Sequence, residues 1–220
     1  MPNLSDELNR KGLECLFYLT HLENLPSILE RGILSYNRVQ KNKIQLNSIA
    51  NPGVQLRRIR QVIVRPDFVS RGLLHDFVPL YMVSRNPMLW AVHDNPLAYI
   101  RISLKVADIE GTVFSNGNAA AEATKFYADP SDVERLPWDV IFGQKWTGGK
   151  IVDGRRKRCA EILIPDVVEN RFFLDIRCNR DPESLAVPSQ FRSFLKFDPQ
   201  FLEPSKARKG ISMDSFFPLT

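Results

Sequence analysis

The 220-residue chain has little cysteine, and its three cysteines (Cys15, Cys159, Cys178) are far apart. No CxxC pair occurs and no histidine lies close enough to complete a zinc spacing, so the common zinc modules are excluded and no metal is expected. An odd count without a disulfide framework fits a reducing compartment. Cys15 and Cys159 sit in apolar runs and are expected in the core. Glycine (11) is scarce and the 15 prolines are scattered, which excludes collagen-like and low-complexity chains. Apolar runs stop at about six residues, far short of the ~20 that span a bilayer, so no membrane segment is expected. The first residues, Met1 to Lys11, are polar and hold no apolar core of a secretory signal. A cytoplasmic protein is the expectation. The usual cofactor and hydrolase fingerprints are missing too: no GxGxxG, GxxxxGK[ST], HExxH or GxSxG occurs.

What remains is an ordinary globular composition, 44% hydrophobic and 25% charged. A chain of this length can bury one sizeable core, and no linker or repeat divides it, so a single domain over 1–220 is expected. The net charge is +5, a modest excess whose distribution says more than its size. One cluster holds Arg57, Arg58, Arg60, Arg65 and Arg71, opposed by Asp67; a second holds Lys150, Arg155, Arg156, Lys157 and Arg158, opposed by Asp153. Such patches suit a polyphosphate ligand or a nucleic-acid backbone, or are simply solvated loops.

Periodicity gives a strand at Glu14–Leu19. The capping-box spacing Thr20-His-Leu-Glu23 then opens a short helix closed by Gly32. The stretch from Ser35 to Gly72 reads as long loops around a helix at Val54–Arg60. Val78–Val83 reads as a strand, which Pro79 places at an edge or bulge, and Asn86-Pro87 opens a helix through His93. Ala98–Val106 alternates like a half-buried strand. Asn116-Gly-Asn118 is a turn leading to an alanine-rich helix through Phe126. Trp138–Trp146 is an aromatic loop or short helix, and Gly148-Gly149 begins a flexible basic loop. Arg158–Ile164 and Arg171–Arg177 are strands, Ser189–Lys196 has helical spacing, and the tail beyond Asp198 is irregular. Without a βαβ rhythm, the fold expected is α+β on a mixed or antiparallel sheet.

Glu161 is the most informative residue. It stands in the otherwise apolar run Cys159-Ala-Glu-Ile-Leu-Ile164, where a carboxylate is costly unless its charge is met. Beside a cleft it can hold a sugar hydroxyl, stabilise a developing cation or act as a base; on a solvated edge strand it would do none of these. His21 falls where strand gives way to helix and can reach a ligand there, or serve the structure. Tyr81 can stack on a flat ring or pack in the core. Arg57 and Arg58 can clamp a pyrophosphate or lie exposed.

Several blocks, taken together and in order, resemble the DarT family of DNA ADP-ribosyltransferase toxins. They are Thr20-His-Leu-Glu-Asn-Leu-Pro-Ser-Ile-Leu29, Ser48-Ile-Ala-Asn-Pro-Gly-Val-Gln-Leu-Arg-Arg58, His75-Asp-Phe-Val-Pro-Leu-Tyr81 with Asn86-Pro-Met-Leu89, and Lys157-Arg-Cys-Ala-Glu-Ile-Leu163. The resemblance runs from about Phe17 to Arg177. It implies an ADP-ribosyltransferase fold with NAD⁺ in a cleft between packed sheets. It also implies transfer of ADP-ribose to a base of single-stranded DNA, typically thymine, with release of nicotinamide. Carried over, Glu161 is the catalytic glutamate and His21 contacts the NAD⁺ ribose. Thr20 and Asn24 belong to the same cofactor-binding block. Arg58 holds the pyrophosphate or the substrate side, and Tyr81 lies beside the nicotinamide. Asn116-Gly-Asn118 with its alanines resembles a family segment near the active site, with no role assigned. The family also implies an antitoxin partner whose macrodomain removes the ADP-ribose; a monomer is expected.

The chemistry of the residues agrees. Breaking the N-glycosidic bond of NAD⁺ builds positive charge on the ribose, which a fixed carboxylate stabilises, and the acceptor nitrogen must lose a proton, for which Glu161 is the base. Upstream, Trp138, Phe142 and Trp146 with Arg155 and Arg156 combine rings and cations, as single-strand binders do. With Arg57, these residues (Phe142 apart) are the expected DNA contacts. Two further readings stand beside this one: the same fold acting on RNA or protein, including RNA 2′-phosphate transfer to NAD⁺, and a non-catalytic single-strand binding module. The last leaves Glu161 unexplained.

Overall fold

The structure, a computed structural model, describes residues 3–60, 62–64, 71–148 and 151–203. Arg65, Gly149 and Lys150 lie outside these residues, as do the side chains of Arg60 and Arg71. In chain order the elements are α1 (Leu4–Arg10), β1 (Leu16–His21), α2 (Leu25–Arg31), β2 (Ile33–Leu34), α3 (Tyr36–Lys41), α4 (Pro52–Arg60), β3 (Val62–Val64), β4 (Arg71–Leu73) and β5 (Phe77–Tyr81). There follow α5 (Pro87–Val92), β6 (Leu97–Ile102), β7 (Val113–Ser115), β8 (Phe126–Tyr127), α6 (Trp138–Ile141), α7 (Gly154–Arg158), β9 (Glu161–Pro165), β10 (Val167–Val168), β11 (Phe173–Cys178) and β12 (Leu195–Phe197).

The main sheet runs β12-β11-β6-β1-β5-β9-β7-β8. Its pairs are antiparallel except β11–β12. At its middle, β1 meets β5 through one residue pair, Phe17 opposite Tyr81. The sheet is therefore two four-stranded halves joined at one point. Because successive strand side chains alternate in direction, the halves share two faces. One face carries Leu16, Ile100, Val78, Leu80, Ile162 and Ile164 into the main core, where Leu4 and Leu8 of α1 and Leu25 and Leu29 of α2 cover them. Each such side chain, fully buried, contributes about 1.5–3 kcal/mol.

The opposite face holds two smaller apolar clusters. Leu19, Leu97 and Tyr99 lie under Leu89 and Val92 of α5. Leu163, Phe77 and Val113 lie with Leu74 and Ala119. Register puts Phe17, Tyr81 and Glu161 side by side on this face, between the clusters, with His21 four residues beyond Phe17 on β1. The α+β class and the mixed, mostly antiparallel sheet agree with expectation.

Several local expectations are corrected. β1 begins two residues late and takes in Thr20, so the cap of the following 3₁₀ turn is His21, whose Nδ1 accepts from the Glu23 amide at 3.3 Å. β6 ends at Ile102, because Ser103 caps a 3₁₀ turn over Leu104–Asp108; the strand is buried on both faces, and Tyr99 is fully enclosed. No helix forms over 119–125: the segment is a series of turns, and Phe126 starts β8. The basic run after Gly154 is the helix α7, not a loop, and β9 starts at Glu161, so Arg158 and Cys159 precede the strand. Ser189–Phe194 is 3₁₀ and is followed by β12. Pro79 occupies an inner strand, but beside the seam, where β1 has no partner for it. Within Ser35–Gly72, Ser35 caps the unforeseen α3, accepting from the Arg38 amide at 3.4 Å.

Candidate active site

Glu161 opens β9 and is 1% exposed. An ionised carboxylate at that depth needs partners, and it has them. Arg58, near the end of α4 and 7% exposed, donates from Nη1 and Nη2 to Oε2 at 3.2 and 3.3 Å and from Nη1 to Oε1 at 3.5 Å. The Ala119 amide donates to Oε1 at 3.0 Å. The Glu161 amide itself donates to the Ser115 hydroxyl at 3.2 Å, and that hydroxyl donates to the Gly117 carbonyl at 2.7 Å. The Asn116–Gly117–Asn118 turn is thus part of the site. The sequence showed the turn but not that Ala119 follows it as a donor. A backbone N–H leaves no side-chain signature, so nothing in the residue types marked it.

α4 is short, and the Asn51 side chain caps it by accepting from the Gly53 and Val54 amides at 2.8 and 3.2 Å. It is fixed to the fold through Gln55, whose Oε1 pairs with His75 Nε2 at 3.0 Å; the His75 ring packs on Tyr36 of α3 at 4.4 Å. Burial, with the Arg58 cation adding to it, lowers the His75 pKa to about 4, so this histidine is neutral at pH 7. Burial followed by the Glu161 charge raises the Tyr81 hydroxyl well above its ordinary value, and Tyr18 is pushed up to about 12 by burial, with Arg58 pulling the other way. Both phenols stay protonated and can donate hydrogen bonds.

His21 caps through Nδ1, so its neutral form carries the proton on Nε2, a donor on the cleft face at the end of β1. Thr20 and Asn24 are buried and occupied with each other: Asn24 Nδ2 donates to Thr20 Oγ1 at 3.1 Å and to the Asn47 carbonyl at 3.0 Å, while Asn24 Oδ1 accepts from the Asn47 amide at 2.9 Å. They fix the 42–51 segment against the end of β1. Arg57 is the neighbour of Arg58 on α4 and makes no ion pair among the described residues.

The aromatic–basic stretch upstream of β9 is built differently from a string of open contacts. Trp138 stacks on Phe142, with centroids 5.5 Å apart, and its indole N–H donates to the Val133 carbonyl at 2.8 Å. Arg158 is 8% exposed; it closes the end of α6 by donating to the carbonyls of Val140, Ile141 and Gly143, reaches the Arg85 carbonyl at 2.9 Å, and lies over the Trp146 ring at 5.1 Å. Arg156 is held by Asp153, Asn116 and Thr124. Arg155, on the same helix, is half-buried.

The site therefore pairs a buried carboxylate with a cation and a backbone donor, beside the Tyr81 phenol and a strand-end histidine, at the join of two half-sheets. Among the described residues no cluster of three or more His, Cys, Asp or Glu is placed to hold a metal, and no helix is long and apolar enough to cross a membrane. The architecture defines the class. The chain superposes on Thermus sp. 2.9 DarT in complex with ADP-ribosylated ssDNA with a TM-score of 0.71 at 23% identity, covering 86% of this chain and 96% of that one. With the same protein in complex with NAD⁺ the TM-score is 0.61 at 22% identity, over 77% and 84%. The fold is that of the NAD⁺-dependent ADP-ribosyltransferases.

Residues 17–200 match the family model described as ssDNA thymidine ADP-ribosyltransferase, DarT. The chain belongs to the DarT family. Among its relatives is a DNA ADP-ribosyl transferase of Thermus aquaticus, 32% identical over 164 residues that cover 69% of this chain and 68% of the relative. Another is a DNA ADP-ribosyl transferase–DNA ADP-ribosyl glycohydrolase fusion protein of Thermosipho africanus, 28% identical over 163 residues, 71% of this chain and 40% of the fusion. The match with the fusion thus spans less than half of its length.

Proposed function

We propose that the chain transfers ADP-ribose from NAD⁺ to thymine in single-stranded DNA, with Glu161 as the catalytic carboxylate. The observation that carries this reading is the burial of Glu161 at the start of β9, with Arg58 and the Ala119 amide holding its two oxygens. In the reaction the bond between the ribose carbon and the nicotinamide nitrogen breaks, and nicotinamide leaves with the bonding electrons. The thymine ring nitrogen bonds to the same carbon and gives up its proton. Positive charge grows on the ribose as the first bond stretches, and a preorganised anion in a water-poor site stabilises it. Glu161 supplies that anion and is the base for the thymine proton.

Arg58 aims the carboxylate through its contacts to both oxygens and is the cation nearest to it for the donor or the acceptor. His21 offers its Nε2–H to a ribose hydroxyl, and Tyr81, beside Glu161 on the next strand, forms the wall for the nicotinamide ring. Thr20 and Asn24 act by holding the segment that borders His21. Arg57, Arg155 and Trp146 line the approach of the DNA strand, while Trp138, stacked on Phe142 and bonded to Val133, supports that wall from behind. The support for NAD⁺ and single-stranded DNA is the ligand content of the Thermus sp. 2.9 structures and the family's description. A macrodomain antitoxin that removes the modification is the proposed partner, supported by the T. africanus chain that fuses a transferase to a glycohydrolase. The enzyme acts in the cytoplasm as a monomer.

Short thymine-containing oligonucleotides incubated with NAD⁺ and protein test this by mass. Wild type adds one ADP-ribose to DNA and Glu161→Ala adds none. Equal labelling by both proteins, or labelling of RNA in preference to DNA, overturns the proposal.

A further inference from the structure

The Arg156 side chain is 12% exposed and faces inward. Its Nε pairs with Asp153, and its Nη1 donates to Asn116 Oδ1 at 2.9 Å and to Thr124 Oγ1 at 3.0 Å. Its own carbonyl accepts from the Asn118 amide at 2.9 Å. One residue of α7 thus grips both ends and the middle of the segment Asn116–Thr124. The grip is tight. A Cβ placed on Gly117 would stand 2.4 Å from Arg156 Nη1 and 3.0 Å from its Cγ and Cζ, so the turn accepts the guanidinium only because residue 117 has no side chain.

That segment does two things to Glu161. The Ala119 amide donates to its Oε1 at 3.0 Å, and the Gly117 carbonyl accepts from the Ser115 hydroxyl, whose oxygen in turn accepts from the Glu161 amide. Thr124 Oγ1 also donates to the Asn118 carbonyl at 2.6 Å, so the turn closes on itself around the guanidinium. Arg156 lies in the middle of α7, five residues before Glu161. Helix and turn are thereby locked to the strand that bears the carboxylate.

We infer that Arg156 is a positioning residue for catalysis, which clamps the 116–124 turn so that the Ala119 amide stays on Glu161, and is not a DNA-phosphate contact. The inference rests on Glu161 being the catalytic carboxylate, and it replaces the expectation from sequence that Arg156 meets DNA. Three of the five guanidinium N–H groups, on Nε and Nη1, already end on Asp153, Asn116 and Thr124, so a phosphate could take those places only by displacing the contacts that hold the turn.

Two variants separate the roles. Arg156→Ala removes the clamp and the charge together; Gly117→Ala displaces the guanidinium while leaving the charge in place. If Arg156 positions the turn, both lower kcat for transfer by about 10–100-fold, the range seen when a residue that orients a reacting group is lost. Both leave the KM for oligonucleotide within about twofold and leave the salt dependence of binding unchanged. If Arg156 binds phosphate, Arg156→Ala raises the oligonucleotide KM and lowers the slope of log K against log salt by about 0.7, whereas Gly117→Ala does neither. Amide hydrogen exchange across residues 116–121, measured without NAD⁺ or DNA, is a readout that does not depend on the reaction. It should quicken in both variants and stay as in wild type in Lys157→Ala, which removes a charge from the same helix. Unchanged exchange in Arg156→Ala overturns the clamp even if activity falls. Wild-type transfer by Glu161→Gln would remove the catalytic reading instead and leave the exchange result to decide the clamp.

Discussion

The Arg58–Glu161 pair permits a quantitative test of how the site is held. Both side chains are almost wholly buried, so each makes the other's burial tolerable. Removing one partner of a buried pair costs about 3–5 kcal/mol, because the survivor is left desolvated and uncompensated. The contacts here are 3.2, 3.3 and 3.5 Å, longer than the ~2.7–2.9 Å of a strong charge-assisted pair, and the Ala119 amide still supports the carboxylate. Arg58→Met should therefore fall at the low end, about 3 kcal/mol. For a chain of this size that lowers Tm by roughly 6–12 °C. Glu161→Gln keeps the shape and most of the hydrogen bonds, and should cost about 2 kcal/mol by stranding the guanidinium. Removing both charges strands neither. The double variant should be more stable than the sum of the singles by about 2 kcal/mol, yet remain inactive, since stability recovers but the anion proposed for catalysis does not. Thermal and urea unfolding of the four proteins complete the cycle. Additive single effects would mean that the pair is not coupled and that Arg58 does not hold Glu161.

The remaining predictions concern groups around that pair. His75 titrates near 4 in the folded chain against 6.5 ordinarily, so between those values the unfolded state binds a proton that the folded state refuses. Its contribution to stability is complete above about pH 6.5 and is lost as pH falls toward 4, with a slope of at most about 1.4 kcal/mol per pH unit; His75→Gln should flatten the pH dependence of urea unfolding over that range. Arg158→Ala should lower Tm and leave oligonucleotide binding unchanged in its salt dependence, because that guanidinium closes α6. Arg57→Ala should do the opposite, weakening binding and reducing the salt slope by about 0.7 while barely moving Tm.

How much of this was readable beforehand depended on whether the signal was local. Glu161 was legible because a carboxylate in an apolar run is a local conflict, and such conflicts concentrate where function overrides packing. The turn at Asn116-Gly-Asn118 and the cap at Asn86 were legible because their residue types have few other uses. The alanines after Asn118 misled for the converse reason. Helix propensity is a weak preference, and here Ala119 and Ala120 are buried, the first with its amide turned to Glu161, so tertiary contacts and not propensity set the backbone. The basic run at 155–158 was read by charge alone. Charge cannot distinguish an arginine that meets solvent from one that closes a helix end or clips a turn, since both uses exploit the same planar set of donors. Thr20 and Asn24 were flagged by their place in a block, yet their hydrogen bonds go to one another and to Asn47, and only the folded chain brings Asn47 to them.

The two residues at the centre of the site stand 103 positions apart in the chain, and the Ala119 amide is 42 positions from the carboxylate it serves. Contacts of that separation are closed late in folding, since the entropy of closing the intervening chain must be met first. A ribosome that has released α4 and the 116–124 turn has still not made β9, so the growing polypeptide has no Glu161 carboxylate to offer to either. A partly made chain therefore lacks the anion on which the proposed transfer depends.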